Sequence, residues 1–520
     1  MGGAIAAGHE KTAAVGAEIL QLGGNAFDAA VGAMLASFIT ESTLTSAAGG
    51  GFLLAHTQTG QNILFDFFTQ TPQQKLNQPS LDFYPIGVNF GDTVQEFHIG
   101  LGSIATPGNV GGLFYVHQKL GRLPLKVVAE PAIHLAKTGI QIDAFQAYCM
   151  YLLQPILTTS EAARQIYAPN GTSLTAGDTL LMRDFANTLT DLVAMGPREF
   201  YAGAIAHQLV QDCQTQGGYL ALADLSQYHV IERAPLTIQY RDTTLLTNPP
   251  PSSGGTLIAF ALKLLSQVDL SSCHCGSTQH LQTLAEVMRL TNQARRDRYD
   301  ANIYRANVAD QFLSPHHLAG YQQQLATAVN KWGSTTHISV VDGEGNAASV
   351  TTSNGEGSSY LIPGTGIMMN NMLGEADLNP HGFHQWQANQ RISSMMAPTI
   401  VLKNHRPEIV LGSGGSNRIR TAILQVISNM IDFHMPADEA VNYPRMHWEG
   451  NALHLEPGFA PNGIETIDAH LKDSLTLWTQ QNMFFGGVHV VRVGEDGHIT
   501  GAGDPRRHGA IAIVTDLVTD

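Results

Sequence analysis

Cysteine and positive charge are both scarce in this sequence. Its 520 residues carry 28 Lys and Arg against 43 Asp and Glu, and 4 cysteines: Cys149, Cys213, Cys273 and Cys275. So few cysteines in so long a chain argue against a disulfide framework. The formal net charge of -15 argues against binding to nucleic acid or to an anionic membrane, because those partners require clustered cations. We therefore expect a small or uncharged binding partner.

Long apolar runs are missing as well. The longest run, residues 29–39, is too short to span a membrane and directly follows Asp28. The first twenty residues do not show the basic segment and apolar core of a signal peptide. We expect a protein that does not enter the membrane and stays in the cytoplasm, or one that reaches the periplasm if a presequence has been removed.

A metal site is not indicated. The triplet Cys273-His274-Cys275 contains ligand-type residues, but the usual two-residue spacer and a fourth ligand are absent from it. Neither a metal nor another cofactor is predicted.

What the sequence does contain is the composition of a large packed protein. Hydrophobic residues make up 43% and charged residues 14%, and 52 Gly and 23 Pro indicate many turns. The helical spacing of Val15, Ile19 and Leu22 predicts a helical opening over the first forty residues, with Asn25 or Asp28 capping a second helix. A glycine-rich turn and a hairpin follow, and helical patterns dominate residues 107–300.

The second half of the chain is richer in hairpins. Residues 335–342 read as a strand, GEGN as a turn and AASVTTS as the returning strand, which predicts a β-hairpin beginning at Thr335. A helix is predicted from Arg418 to Phe433, and a last hairpin from Val488 to Thr500. Helices outside and hairpins inside indicate a layered α+β body that forms one structural unit.

Several motifs together resemble one known family. The segment GSTTHISVVDGEGNAASVTTSN is similar to the autoprocessing segment of γ-glutamyltranspeptidases. Five others occur in the same order as in that family: GHEKTAAVGAEILQLGGNAFDAAVGAMLA, GPREFYAGAIAHQLVQDCQTQGGYLALADLSQYHV, PPPSSGG, ISSMMAPTIVL and GAGDPRR. The resemblance implies the four-layer αββα fold of N-terminal-nucleophile hydrolases. It also implies autocleavage into residues 1–334, the large subunit, and 335–520, the small subunit, which stay together as a heterodimer.

The expected chemistry centres on Thr335. A threonine hydroxyl is a poor nucleophile until a base takes its proton, and an α-amino group with a pKa of about 8 can be that base on the same residue. The amine exists only after the Ser334–Thr335 bond is cleaved. One residue then supplies both nucleophile and base, so that no separate catalytic triad is required.

The turn before the predicted Arg418 helix is the candidate oxyanion hole. Backbone N–H groups at a helix N-terminus favour negative charge. By resemblance, the stabilising pair is Gly414-Gly415 or Gly415-Ser416, so that only Gly415 belongs to both alignments. The alternative is a phosphate-binding turn or a merely tight one.

By resemblance, the second strand of the hairpin supports the nucleophile. Thr352 would orient Thr335, and Asn354 would contact the substrate's acyl group. This alignment contains a one-residue gap, which leaves Thr351 and Ser353 as alternatives.

Two further pairs are assigned through the family. Ser393 and Ser394 match the serines that hold the carboxylate end of the substrate, although without the family they read as loop serines. Glu375 matches the acid that receives the donor's α-amino group, with Asp377 as the alternative. Either acid could equally lie on a solvated surface.

The sequence departs from the family beside the N-terminal hairpin. Glutathione-type members have Asp-Phe-Arg where this chain reads Asp66-Phe67-Phe68. Phenylalanine cannot replace a guanidinium that pairs with a carboxylate, so Arg391 or another cation would have to substitute. The short stretch from Glu375 to Ser393 predicts an open pocket without a lid, which would admit bulkier acyl groups.

The resemblance therefore leaves three hypotheses for an amide-binding protein. The first is γ-glutamyl hydrolysis or transfer from a glutathione-type donor to water or an amine. The second is a glutaryl or cephalosporin-type acylase, or another short-acyl amidase. The third is an unprocessed binding protein without activity.

Overall fold

Two stacked β-sheets lie between layers of helices. The computed structural model describes residues 2–75, 81–89, 94–270, 273–319, 321, 335–379, 381–449, 452–460 and 475–515. One sheet has seven strands and the other six. Polar side chains join the sheets face to face: Ser349 Oγ donates to Leu411 O at 3.0 Å, and Ser339 Oγ donates to His489 O at 3.1 Å. The predicted αββα architecture is confirmed.

The seven-stranded sheet has the order β22-β1-β11-β12-β2-β3-β8, and each neighbouring pair is antiparallel. Strand β1, from before residue 335, lies between β22 and β11, which both come from after it. The strands are β1 (Gly3–Ala7), β2 (Gly50–His56), β3 (Asn62–Phe67), β8 (Ile231–Arg233), β11 (Thr336–Asp342), β12 (Ala347–Ser353) and β22 (Ala510–Val514).

The six-stranded sheet has the order β21-β20-β16-β15-β10-β9 and is also antiparallel. Its strands are β9 (Leu236–Tyr240), β10 (Thr243–Thr247), β15 (Thr399–Lys403), β16 (Arg406–Gly414), β20 (Gly487–Val493) and β21 (Ile499–Ala502). Smaller ribbons add β4 (Tyr84–Asn89) with β5 (Val94–Ile99), β6 (Ile140–Gln141) with β7 (Thr179–Leu180), β13 (Leu361–Ile362) with β14 (Ile367–Met368), and β17 (Met446–Glu449) with β18 (Ala452–Leu455) and β19 (Leu475–Leu477).

One helical layer covers the outer face of the seven-stranded sheet. Its central helix is α2, which is buried along its whole length and begins at a capping box formed by Asn25 and Asp28. The helices of the first half are α1 (Glu10–Gln21), α2 (Ala26–Thr40), α3 (Asn109–Leu120), α4 (Leu125–Thr138), α5 (Ala144–Leu152), α6 (Gln154–Leu157), α7 (Glu161–Tyr167), α8 (Arg183–Met195), α9 (Arg198–Ala202), α10 (Ala204–Gln216) and α11 (Leu222–Ser226).

The other layer covers the six-stranded sheet, chiefly through α12 and α16. Its helices are α12 (Gly254–Leu265), α13 (Thr278–Ala294), α14 (Val308–Phe312), α15 (Pro315–Ala319), α16 (Arg418–Ile431) and α17 (Ala437–Asn442). A π-helical turn, Arg295–Tyr299, continues α13.

Alternation along β11 assigns its side chains to two environments. Ile338 and Val340 join the core under the α2 layer, whereas Val341 joins the core shared with the six-stranded sheet. His337 also faces that sheet, since a Cβ on Gly412 would lie 2.3 Å from its ring. Odd-numbered residues of this strand therefore face the neighbouring sheet, and even-numbered ones face the helices.

Most predicted elements are present. The hairpin beginning next to Thr335, the helix at Arg418 and the last hairpin are confirmed as β11–β12, α16 and β20–β21. The helical opening is incomplete, because residues Gly3–Ala7 form a strand before α1. No helix in the described ranges is long and apolar enough to cross a membrane.

Candidate active site

Thr335 lies at the base of a pocket between the two sheets. It directly precedes β11, and it is 4% exposed. The pocket encloses about 540 Å³ of empty space, part of it open to solvent. We call it the inner pocket. Ser334, on the other side of the expected cleavage, lies outside the described residues.

Two contacts fix the backbone of Thr335. Arg507, from the GAGDPRR motif, donates from Nη1 to Thr335 O at 3.2 Å. Gly414 approaches the same oxygen so closely that a Cβ on it would lie 2.0 Å away. Glycine is therefore required at position 414 by the approach of Thr335, and the predicted turn is adjacent to the predicted nucleophile.

The turn itself has an unusual backbone. Gly415 has φ of +122°, and Ser416, which is not glycine, has φ of +48°. Asn417 returns to helical values just before α16 begins at Arg418. Successive left- and right-handed residues direct neighbouring N–H groups to one side and form anion-binding concavities. Strain of this kind, of order 1–3 kcal/mol, is concentrated at functional sites.

The structure separates the two hydroxyl residues at the end of β12. Thr352 is opposite Thr336 and accepts a hydrogen bond from Thr45 Oγ1 at 3.0 Å, on the helical side. Ser353 lines the inner pocket together with Thr335. The predicted residue Thr352 is thus not brought to the face of the nucleophile, whereas its alternative Ser353 is. The physical reason is the two-residue period of a strand. Thr351 faces the neighbouring sheet but hydrogen-bonds to His337 at 2.8 Å.

Asn354 is buried and hydrogen-bonded within the protein. Its Oδ1 accepts from Ser46 Oγ at 3.0 Å, and its Nδ2 donates to Met369 O at 3.3 Å. It does not line the inner pocket. Its observed contacts hold the end of β12 against neighbouring loops.

The serine pair forms one wall of the inner pocket. Ser393 and Ser394 both line it, next to Ser253 from the PPPSSGG motif. Ser253 Oγ and Ser393 Oγ are 3.4 Å apart, and Ser394 O accepts from Ser253 N at 2.7 Å. Sequence reasoning identified the PPPSSGG motif but gave Ser253 no role. The wall presents hydroxyl groups to any ligand beside Thr335.

Two acids line the same pocket. Glu375 and Asp377 are both present, and Asp377 accepts from Ser416 Oγ at 2.8 Å. Burial raises the pKa of Glu375 well above its ordinary value, and the nearby carboxylates of Glu356 and Asp377 raise it further. A cationic group placed here would reverse that shift, because it would stabilise the ionised form.

Phe68 forms an apolar wall of the pocket. It stacks on Phe52 with ring centroids 5.3 Å apart. Arg391, the cation suggested as a substitute, is 5% exposed and donates to the backbone oxygens of Phe68 and His229. It also lies 3.5 Å from Asp66. Arg391 therefore connects the chain segments around Phe68 and His229, and it does not line the inner pocket.

Arg295 does line the inner pocket, and it also lines a second, larger cavity next to it. This outer chamber contains about 1260 Å³ of empty space, part of it open to solvent. It shares five lining residues with the inner pocket: Ser253, Arg295, Asp377, Leu378 and Ser393. The sequence gave no signal for Arg295, because an arginine at a helix end usually lies on the surface.

Behind the nucleophile lies a buried carboxyl group that sequence reasoning also missed. Glu41 accepts hydrogen bonds from Thr336 Oγ1 and from Thr12 Oγ1, the latter at 3.1 Å. Burial raises the pKa of Glu41, while its hydrogen bond from Thr336 opposes the rise. Glu41 thereby holds the residue that follows Thr335.

Within the described ranges, no group of three or more His, Cys, Asp or Glu residues is placed to hold a metal ion. The thiols of Cys273 and Cys275 are free.

A threonine at the start of a strand in a two-sheet sandwich, beside a strained turn at a helix N-terminus, defines the class of N-terminal-nucleophile enzymes. A family model described as Gamma-glutamyltranspeptidase matches residues 12–514, and the chain belongs to that family.

Curated relatives with two kinds of activity in their names match this chain. The Glutathione hydrolase proenzyme of Escherichia coli (strain K12) is 32% identical, over 97% of this chain and 90% of its own length. The Acylase ACY 1 proenzyme of Pseudomonas sp. (strain V22) is 30% identical, over 98% of this chain and 92% of its own length. Among solved structures, cephalosporin acylase from Bacillus halodurans has a TM-score of 0.86 at 23% identity, covering 98% of this chain and 95% of that one, which supports the fold.

Proposed function

We propose that this protein cleaves its own chain between Ser334 and Thr335 and then uses Thr335 to hydrolyse or transfer the acyl group of small amides. The single observation that carries the proposal is the position of Thr335, directly before β11 at the base of the inner pocket and next to the Gly414–Ser416 turn. The expected products are residues 1–334 and 335–520, associated as a heterodimer.

The proposed reaction needs only groups of the protein. The freed α-amino group of Thr335 takes the proton from the hydroxyl group of the same residue. The hydroxyl oxygen, Oγ, then attacks the carbonyl carbon of the amide. The oxyanion is stabilised by backbone N–H groups of the turn around Gly415. The carbon–nitrogen bond breaks, the departing amine takes the proton, and an ester to Thr335 remains. Water or another amine then releases the acyl group.

Ser353 is our candidate for the residue that orients Thr335, in place of Thr352. It shares the inner pocket with the nucleophile, whereas the hydroxyl of Thr352 accepts a hydrogen bond from Thr45. For Asn354 we propose a structural role, in which its hydrogen bonds to Ser46 and Met369 hold the end of β12 in place.

For the acyl group, we propose γ-glutamyl, the first of two candidates. The acids Glu375 and Asp377 suit a donor with an α-amino group, and Ser393 and Ser394 suit its carboxylate. The names of the glutathione hydrolase relatives support the same assignment.

The second candidate is a short acyl group without the α-amino group, such as glutaryl. Phe68 favours it, because an apolar ring offers nothing to a charged donor. The acylase relative supports it. A panel of γ-glutamyl and glutaryl anilides separates the two: a clear preference for glutaryl would exclude the first.

Intact mass under denaturing conditions tests the proposal as a whole. Wild-type protein should give two fragments that meet at Ser334/Thr335, and Thr335→Ala should give one whole chain. A single uncleaved wild-type chain would favour the third hypothesis, an inactive binding protein.

A further inference from the structure

We propose that the outer chamber binds the amine half of the amide, and that Arg295 binds a carboxylate carried by that half. The inference rests on the proposed function and extends it, since it specifies what the second half of the substrate must look like. The substrate class is an amide whose amine half carries both a carboxylate and a ring.

The order of bond changes places the amine half in the outer chamber. After the carbon–nitrogen bond breaks, the acyl group stays attached to Thr335 in the inner pocket, while the amine must leave. Its route must avoid the acyl ester, and the outer chamber adjoins the inner pocket through Ser253, Asp377 and Ser393. An accepting amine enters by the same route, because transfer is the reverse of release.

Arg295 lies where the two cavities meet. Its Nε is 3.0 Å from the carboxylate of Asp300, and its Nη1 donates to Asn417 Oδ1 at 3.2 Å. These contacts hold the guanidinium against Asn417, which lies between the strained turn and the start of α16. Because Arg295 and Thr335 line the same pocket, a carboxylate close to the scissile nitrogen is the group that we expect Arg295 to bind.

The backbone around Arg295 supports a binding role. Arg295 begins the π-helical turn that ends at Tyr299, and single π-turns within helices are frequent at functional sites. The turn widens the helix by one residue and directs Arg295 toward the inner pocket, whereas Arg298 lies on the far side and lines neither cavity.

Aromatic and aliphatic side chains form part of the lining of the outer chamber. Tyr304 is 49% exposed although it donates from its hydroxyl to Arg391 O at 3.2 Å. Trp386, with Lys75 Nζ 4.7 Å from the centre of its ring, lines the same chamber, as do Ile303 and Ile392. Polar side chains line the rest, among them Gln385, Gln387 and Gln390. Exposed aromatic surface inside a cavity favours a flat or bulky apolar group.

Two arginines and two aspartates line the outer chamber. Asp300 pairs with Arg295, whereas Asp377 accepts a hydrogen bond from Ser416 and keeps its charge. Arg305 lines the same chamber, and among the described residues no carboxylate forms an ion pair with it. Both arginines are thus on the route that an anionic amine would take.

Four substrates test the inference as a factorial set. They carry one acyl group, γ-glutamyl or glutaryl according to the panel above, joined to phenylalanine, phenethylamine, glycine or methylamine. The wild-type protein should prefer phenylalanine to phenethylamine by about tenfold or more in kcat/KM, as expected for a charge-assisted contact. It should also prefer phenylalanine to glycine.

Variants assign each preference to its residue. Arg295→Gln should bring the phenylalanine-to-phenethylamine ratio to about one while the preference for the ring remains, and Arg295→Lys should restore part of the ratio. Tyr304→Ala should lower the ring preference alone. Arg298→Gln, from the same π-helical turn, is the matched control and should keep both ratios. The fraction of cleaved chain reports whether each variant folds.

The outcomes separate this inference from the proposed function. If the chain is cleaved but none of the amides reacts, the proposed function fails. If all four amides react with similar kcat/KM, or if Arg298→Gln changes the ratio as much as Arg295→Gln, the outer chamber is not the amine subsite and the inference is overturned.

Discussion

Thr352 and Ser353 are neighbours on β12 whose side chains point to opposite sides of one sheet. If Ser353 orients Thr335, then Ser353→Ala should lower kcat at least about tenfold, a usual effect of removing a positioned proton-transfer partner. Thr352→Val should instead lower the thermal midpoint, because it removes the acceptor of Thr45. Steady-state kinetics and thermal unfolding of both variants check this. Equal losses of kcat would contradict the assignment.

Glu375 links pH to donor choice. Burial and neighbouring acids raise the pKa of Glu375, so in the free enzyme this carboxyl group stays protonated to a higher pH than an ordinary glutamate. Deprotonation of the Thr335 amine raises kcat/KM for both substrates. A donor ammonium binds the ionised form of Glu375, so γ-glutamyl anilide should show an additional increase as pH rises through the Glu375 pKa, which glutaryl anilide should lack. Glu375→Gln should reduce the γ-glutamyl preference by about tenfold. The same rise with both substrates would exclude this origin.

The raised pKa of Glu375 also has a stability consequence. The folded protein holds the Glu375 proton more tightly than the unfolded chain does, and this difference stabilises the fold. The stabilisation is fully present below pH 4.5, the ordinary pKa, and it is lost as the pH rises through the pKa of Glu375 in the folded protein. Thermal unfolding should show Glu375→Gln gaining stability relative to wild type from pH 4 to pH 8. A constant difference over that range would contradict the raised pKa.

At this scale the position of Thr335 was easier to predict than its surroundings. Its place directly before β11 was predictable because the hairpin pattern and the family motif coincide on it. The gap before Asn354 left Thr352 and Ser353 open, and strand alternation separated them only when the register was known. Arg295 and Glu41 were not predictable, since their roles depend on contacts between distant segments.

The turn between β16 and α16 is the element on which the oxyanion assignment depends. Gly415→Ala should strain the φ of +122° and place a Cβ 3.0 Å from Gly486 Cα, so activity should fall about tenfold or more. Gly497→Ala is the matched control, because its φ is +80° and nothing lies within 4 Å of its Cβ position. It should keep kcat. Equal kinetic effects would show that left-handed backbone strain alone is responsible.

Elements with strong local patterns were predictable, and those defined by distant partners were not. The β11–β12 hairpin has β-branched residues on both sides of a four-residue turn, GEGN, and this pattern is visible in the sequence alone. Strand β1 is GAIAA, which lacks such a pattern, and it is a strand because β11 and β22 pair with it on either side. Tertiary pairing overrides weak local preference.

The strand order of the seven-stranded sheet determines how the whole molecule should refold after cleavage. Strand β1 belongs to residues 1–334, whereas both of its neighbours belong to 335–520. After the proposed cleavage, denatured protein must therefore reassemble from two chains. The refolded yield of cleaved wild type should fall roughly fivefold over a hundredfold dilution, whereas that of uncleaved Thr335→Ala should stay nearly constant.

Recovery of β-sheet signal and of fragment association after dilution from urea measures this yield. A wild-type protein whose yield is independent of concentration would show that one fragment folds alone, contrary to the interleaved sheet.

The position of β1 between two strands from after residue 335 fixes the order of folding and cleavage. The proposed cleavage must follow folding, because Thr335 reaches Arg507 and Gly414 only when the sheets are assembled. After that proposed cleavage, a molecule that unfolds in dilute solution has lost the covalent link between its two parts. The uncleaved precursor is then the form that we expect to recover from heat or denaturant.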